Sequence, residues 1–131
     1  MSQPVSHSLM PDELHRIPVI KLWNNVLVPL QGEVTDRVAE RMSDEVLSTI
    51  HRMGARGLVI DLTGVWMLDS HLCAALSRLA GAASLIGART VISGMTAEIA
   101  ITLQSMGAEL RGATTALTLE EALNLLGVYT R

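Results

Sequence analysis

Residues 57–70 read Gly57-Leu-Val-Ile-Asp-Leu-Thr-Gly-Val-Trp-Met-Leu-Asp-Ser70, and their pattern decides the fold of the chain. The apolar, β-branched run over residues 58–62 is typical of a strand that is buried on both faces of a sheet. Thr63-Gly64 is a turn signal, so an apolar loop over residues 65–68 is expected to follow the strand. The segment therefore predicts a buried strand that leads through a short loop to Asp69-Ser70.

A helix is predicted to begin at Asp69-Ser70. Apolar residues follow the pair at steps of three and four, as in a helix with one buried face: Leu72, Ala75, Leu76, Leu79, Ala83 and Ile86. Asp and Ser cap helix starts because their side-chain oxygens accept hydrogen bonds from free backbone amides. We therefore expect the Ser70 hydroxyl at a surface edge, at the positive end of a helix dipole, where an added phosphate would be held well.

The rest of the chain alternates between strands and helices. Two strands, over 17–22 and 26–30, are predicted to turn at Trp23-Asn24-Asn25, where the asparagines tolerate a positive φ. A helix is then predicted from Thr35 to Gly54, and a strand over 90–93 follows the helix that begins at Asp69. The next helix is capped by Thr96, ends at Gly107 and is predicted to turn four residues to the core: Ile99, Ala100, Leu103 and Met106. A last strand is predicted near 112–115, and a last helix from the capping box Thr118–Glu121 through Leu126. This order predicts an α/β fold with a mixed, mostly parallel sheet, an N-terminal antiparallel pair and about four helices.

Composition excludes several classes of partner. The chain has 131 residues, 49% of them hydrophobic, but no Phe, one Tyr and two Trp, so its core is built from aliphatic residues and Met. Few aromatic residues are available to stack bases, and the net charge of −3 with scattered basic residues argues against a polyanion. We expect one domain over residues 17–128 that binds no nucleic acid.

The same composition predicts a soluble, cytoplasmic protein. A single cysteine precludes an internal disulfide, and the longest apolar stretches are too short to span a bilayer, so no membrane contact is expected. Residues 1–16 are interpreted as a flexible polar tail, not a signal peptide, and residues 129–131 as a short C-terminal tail.

The residues near Ser70 do not form a catalytic site. Asp69, Ser70 and His71 have the side-chain types of a hydrolase triad, but contiguous residues at a helix start point in different directions. His71 and Cys73 are two apart and do not face each other on a helix, so Cys73 is expected to be structural. The histidines lack the spacing of metal ligands, and no glycine-rich phosphate loop is present, so neither a metal nor a cofactor is predicted.

Trp66 and Met67 occupy the apolar loop before Ser70. Two interpretations remain open for this pair: it packs on its own core, or it is exposed for a partner. Most of the other methionines are expected to fill gaps in the core.

Two blocks of sequence resemble the STAS domain of anti-sigma-factor antagonists. The first is Asp61-Leu-Thr-Gly-Val65 followed by Asp69-Ser70. The second is Leu85-Ile-Gly-Ala-Arg-Thr-Val-Ile-Ser-Gly94, followed by Thr96-Ala-Glu-Ile-Ala100 and Leu103-Gln104. The second block is similar to the stressosome branch of the family. The RsbS-type scaffold is favoured because no N-terminal sensor domain like that of RsbR-type proteins is seen, and because Ser70 stands where those proteins usually carry threonine.

The resemblance implies a non-catalytic scaffold. Such proteins co-assemble with an RsbR-type STAS co-scaffold, as homo-oligomers or large hetero-assemblies, and sequester an RsbT-type serine kinase until stress. It implies that Ser70 is the phosphorylation site, with Asp69 as its neighbour at the helix cap, and that an RsbX-type phosphatase resets it. The partner is predicted to contact Asp69, Ser70 and His71 at this helix start, and Trp66 and Met67 if the apolar loop is exposed. The equivalent of the second phospho-threonine of RsbR-type proteins is Ser93, a serine in this chain. Two alternatives stay open: an antagonist that binds an anti-sigma kinase directly, and a STAS domain that senses a small ligand.

Overall fold

The protein was analysed as a computed structural model that describes residues 16–105, 110 and 112–128. The elements are β1 (Ile20–Leu22), β2 (Asn25–Gly32), α1 (Asp36–Met53), β3 (Gly57–Val65), α2 (Ser70–Leu85), β4 (Arg89–Ser93), α3 (Ala97–Ser105), β5 (Ala113–Ala116) and α4 (Leu119–Leu125). This order confirms the predicted α/β fold. Residues 1–15 of the tail predicted over 1–16 lie outside the described residues, as do the tail predicted over 129–131 and the predicted helix stop at Met106-Gly107.

The described strands form one mixed sheet in the order β1-β2-β3-β4-β5. β1 pairs with β2 in the antiparallel direction, and the three remaining pairings are parallel, as predicted. Because β2, β3 and β4 run the same way, their carboxyl ends meet at one edge of the sheet. The loop that leads to Ser70 starts at that edge.

Both faces of the sheet are covered. The larger core contains Leu58, Ile60 and Leu62 of β3, packed with buried residues of α1, α2 and α3. Val59 and Val91 face the other way and pack with Ala122 and Leu123 of α4. This alternation confirms that the apolar run is a strand buried on both faces.

One turn prediction was wrong, and a second was right in its position but wrong in the residue that takes a positive φ. Thr63-Gly64 does not end the strand: β3 continues to Val65, and one extra residue of β3 between Asp61 and Gly64 shifts the register so that Gln31 of β2 pairs with Gly64. In the first hairpin the residue with positive φ is Trp23, at 54°, and Asn25 instead begins β2 as a buried residue. The pairing of neighbouring strands decided both positions against the local preference of the residues.

Three boundary predictions also need correction. β1 is limited to residues 20–22, although Ile17 is buried in the core ahead of it. Ile86 is the C-cap of α2 with non-helical backbone, so its side chain leaves the helical stripe and is exposed. Ala100 of α3 is exposed as well, and Ile99 and Leu103 alone among that helix's described residues are buried.

Candidate functional site

Asp69 and Ser70 form the start of α2, as predicted. Asp69 is the N-cap, with extended backbone, and its Oδ1 accepts a hydrogen bond from the Leu72 amide at 2.8 Å. The Asp69 carbonyl accepts from the Cys73 amide at 3.0 Å. Ser70 is the first helical residue and is exposed. Since Asp69 performs the capping, the Ser70 hydroxyl is left without a hydrogen-bond partner within the described part of the chain.

Two charges act in opposite directions on a phosphate at Ser70: the N-terminus of α2 favours it, and the carboxylate of Asp69 opposes it. α2 has 16 residues and no acidic residue in its first turn, so its free amides present partial positive charge beside Ser70. The carboxylate of Asp69 is the nearest opposing charge along the chain. Both effects are small in water-exposed geometry, because solvent and salt screen them.

Ser70 and His71 lie at one wall of a groove between α1 and α2, with a volume of about 530 Å³. The α1 wall carries Asp36, Glu40 and Asp44, which are spaced four apart and therefore lie along one face of the helix. Arg78 of α2 lines the groove two turns beyond Ser70. A partner segment that enters this groove thus meets an acidic wall next to the serine.

The loop before Ser70 is anchored at both ends and exposed in the middle. Val65 and Leu68 are buried, and the Trp66 amide donates to the Gly32 carbonyl at 3.1 Å. Between these anchors Trp66 is 84% exposed and Met67 57% exposed. The structure therefore brings two large apolar side chains to the surface within four residues of Ser70.

Cys73 and His71 do not form a reactive pair. Cys73 is buried, as predicted, whereas His71 is exposed on another face of the same helix. Burial raises the pKa of the Cys73 thiol, which keeps it protonated and weakly nucleophilic at neutral pH. Among the described residues no group of three or more His, Cys, Asp or Glu side chains is placed to hold a metal ion.

Ser93 lies in the interior, unlike Ser70. Its hydroxyl is fully buried and donates to Asp61 Oδ1 at 2.7 Å, and Thr63 Oγ1 donates to the same oxygen at 3.0 Å. Gly94 follows with φ at 77°, and a Cβ there would lie 2.9 Å from Asp61 Oδ1. Sequence reasoning did not find this network. Its one sequence signal was the carboxylate of Asp61 inside an apolar run.

The model of the STAS domain matches residues 16–122 of the chain. The chain belongs to the STAS domain family. Among the described residues, no helix is long and apolar enough to cross a membrane.

RsbT co-antagonist proteins are among the relatives of this STAS domain. It is 32% identical to the RsbT co-antagonist protein RsbRB of Bacillus subtilis (strain 168) over 108 residues, which is 82% of this chain and 39% of that protein. The chain thus spans about 39% of the length of the curated relatives it matches first.

Two solved structures are similar over almost their whole length. A serine-to-glutamate variant of Moorella thermoacetica RsbS superposes with a TM-score of 0.74 at 32% identity, over 86% of this chain and 95% of that one. A chain from a structure of the stressosome, described as a signal integration and transduction hub, superposes with a TM-score of 0.69 at 30% identity, over 84% and 96%. The predicted resemblance to stressosome STAS proteins is therefore confirmed.

Proposed function

We propose that this STAS domain is a non-catalytic scaffold of the RsbS type. It holds an RsbT-type serine kinase in a cytoplasmic stressosome together with an RsbR-type co-scaffold, and it releases the kinase when Ser70 is phosphorylated. An RsbX-type phosphatase resets the switch. The observation that carries the proposal is the exposed Ser70 hydroxyl, without a partner among the described residues, at the first position of a helix capped by Asp69.

The surroundings of Ser70 support a role in partner binding. Trp66 and Met67 are exposed beside it, and His71 follows it on the same helix end. Large apolar side chains that contribute nothing to the core of a domain are typical of protein contact surfaces. The similarity to RsbS, which extends over 95% of that chain, supports the choice of partner class.

Release follows from charge. A phosphoserine carries about −1.5 to −2 charges at neutral pH. When a partner packs over the helix end, that charge is removed from water and costs several kcal/mol unless the partner supplies a counter-charge. In the free domain the phosphate stays solvated and interacts favourably with the helix N-terminus. Phosphorylation therefore weakens the complex while it leaves the fold nearly unchanged.

The test is phosphorylation by an RsbT-type kinase with ATP, followed by peptide mass spectrometry. Phosphate is expected on Ser70, and Ser70→Ala is expected to accept none there and to retain the kinase permanently. Ser84→Ala is the matched control, because Ser84 is exposed on the same helix at its opposite end, and it should behave as the wild type. Label found mainly on Ser93 or Thr96 of the wild type would overturn the proposal.

A further inference from the structure

A second pocket lies at the end of the sheet opposite Ser70. Its volume is about 460 Å³, and it is lined by Trp23, Asn24, Asn25, Arg56, Leu126 and Val128. Asn25 begins β2, and Arg56 directly precedes β3, so the pocket lies at the amino ends of the parallel strands. Pockets that bind small molecules are typically of this size and combine apolar walls with a few polar groups. The proposed phosphorylation switch makes no use of this end.

Trp23 adopts an unfavourable backbone conformation at this pocket. It is the one non-glycine residue in the described chain with a positive φ, at 54°. A bulky residue in the left-handed region costs about 1–2 kcal/mol, and such residues are concentrated at functional sites. The indole is nevertheless 73% exposed, so burial in the domain's own core does not repay that cost.

The pocket is held in shape by backbone contacts. The Arg56 amide donates to the Asn24 carbonyl at 2.8 Å, and the Arg89 amide donates to the Arg56 carbonyl at 2.9 Å. Gly57 permits the close approach of the walls: a Cβ there would overlap the Asn25 side chain and lie 2.8 Å from Leu126 Cδ1. A ligand would thus meet a largely preformed site, which reduces the entropy lost on binding.

The charge of the pocket is positive. Within the described part of the chain, the Arg56 guanidinium has no hydrogen bond or ion pair, and no carboxylate lines the pocket. Arg89, at the start of the neighbouring strand, extends its guanidinium along the same end of the sheet and donates to the Leu125 carbonyl at 3.4 Å. A guanidinium beside an exposed indole suits a ligand that offers an anion and a planar ring together.

We infer that this pocket binds a small organic anion that carries a planar ring. The ring stacks on the Trp23 indole above Leu126 and Val128, and the anionic group pairs with Arg56. The exposed side-chain amide of Asn24 provides a hydrogen bond at the rim. The inference is independent of the proposed phosphorylation at Ser70, and each can fail without the other.

The binding test uses Trp66→Phe, which leaves Trp23 as the single tryptophan of the chain. Adenosine monophosphate and 1-naphthoate serve as probes, so that a phosphate and a carboxylate on a planar ring are compared. At least one is expected to quench Trp23 fluorescence with saturation below about 1 mM, a free energy near 4 kcal/mol. Arg56→Gln should weaken that binding at least tenfold, whereas Arg78→Gln, an exposed arginine on α2, should not. Saturation by neither probe, or equal binding by the Arg56 variant, would overturn the inference.

A second variant separates binding from structure. Trp23→Gly should abolish calorimetric binding of the same probe and leave the melting temperature unchanged or higher, because glycine adopts a positive φ without strain. If adenosine monophosphate binds, its two parts are tested separately: adenosine offers only the planar ring, and inorganic phosphate offers only the anion. Each should bind at least tenfold more weakly than the monophosphate. A large loss of stability in Trp23→Gly would show that the tryptophan is a packing residue and would contradict the inference.

Discussion

Ser70 and Ser93 differ in how much room each hydroxyl has for a phosphate. Ser70 is exposed at a helix start, whereas Ser93 is fully buried and donates to Asp61 Oδ1 at 2.7 Å. A negative charge at Ser70 stays in water. The same charge at Ser93 would be buried within hydrogen-bond distance of another carboxylate. This difference supports Ser70, and not Ser93, as the modified residue of the proposed switch.

Aspartate substitutions at the two serines should therefore have opposite signatures. Ser70→Asp is expected to keep the melting temperature within a few degrees and to weaken kinase binding about a hundredfold, or about 2.7 kcal/mol. Ser93→Asp is expected to lower the melting temperature by about 10 °C or more, because a buried like-charge pair costs several kcal/mol. Thermal melts paired with calorimetric titration of the kinase measure both quantities.

Ser93→Ala is the control for that pair of variants. It removes one hydrogen bond to Asp61 but adds no charge, so a loss of only about 1 kcal/mol is expected. If Ser70→Asp lowered the melting temperature as much as Ser93→Asp, and the fraction that is still folded bound the kinase with unchanged affinity, the switch would work through unfolding and the proposed mechanism would be wrong.

For single residues, contacts between neighbours in sequence were predictable, and contacts between residues far apart in sequence were not. The cap at Asp69 and the exposed Ser70 follow from the preferences of residues adjacent in sequence. The bond between Ser93 and Asp61 joins residues 32 apart and depends on the pairing of β3 with β4 in one register. The left-handed Trp23 likewise reflects the geometry of the hairpin, since asparagine would adopt that conformation more easily.

The start of α2 is the element on which the candidate site depends. Asp69→Ala should lower the free energy of unfolding by about 1 kcal/mol, because the Leu72 amide loses its acceptor at 2.8 Å. For a domain of this size the melting temperature should fall by about 2–5 °C. Chemical denaturation monitored by circular dichroism checks the value.

Asp44→Ala is the matched control for the cap. Asp44 is an exposed aspartate in the interior of α1, where alanine has the higher helix propensity, so its replacement should not lower stability. Equal losses in the two variants would show that removal of surface charge, and not loss of the cap, explains the effect of Asp69→Ala.

The elements themselves were predictable because periodicity reports which face is buried. The ends of the helices and strands were harder to predict, because they depend on contacts with residues that are remote in sequence. Thr63-Gly64 carries the residue types of a turn, yet both residues stay in β3, which resumes its pairing with β2 at Gly64 after a register shift. Ile86 fits the three-and-four spacing of α2, yet the helix ends one residue before it.

On the scale of the whole molecule, the two candidate sites lie at opposite ends of one sheet. Ser70 follows the carboxyl end of β3, and Trp23 precedes the amino end of β2. The apolar residues fill a core on each face, and what remains at the surface includes Trp66 and Met67. The sequence left two interpretations of that loop open because its composition suits burial in either a core or an interface.

The double variant Trp66→Ser, Met67→Ser tests whether the loop mediates assembly. An indole removes about 150–250 Å² from water when it is buried, which at about 25 cal/mol per Å² amounts to about 4–6 kcal/mol before the costs of association. Self-association or kinase capture should therefore weaken at least tenfold while the circular-dichroism spectrum is retained. Size-exclusion chromatography with light scattering, alone and with an RsbR-type partner, measures the particle.

Leu85→Ser is the matched control, because Leu85 is a large apolar residue, 89% exposed, at the end of α2 opposite Ser70. It should leave kinase capture unchanged, since solvent-exposed apolar residues that touch no partner contribute little to binding.

A wild-type chain that assembles into a megadalton particle, and a double variant that does not, would support the loop as a contact surface of a stressosome. A wild type that stays monomeric under all conditions would instead favour direct binding to an anti-sigma kinase. Unfolding of the double variant would mean that the loop stabilises the domain itself, and its assignment to an interface would be wrong.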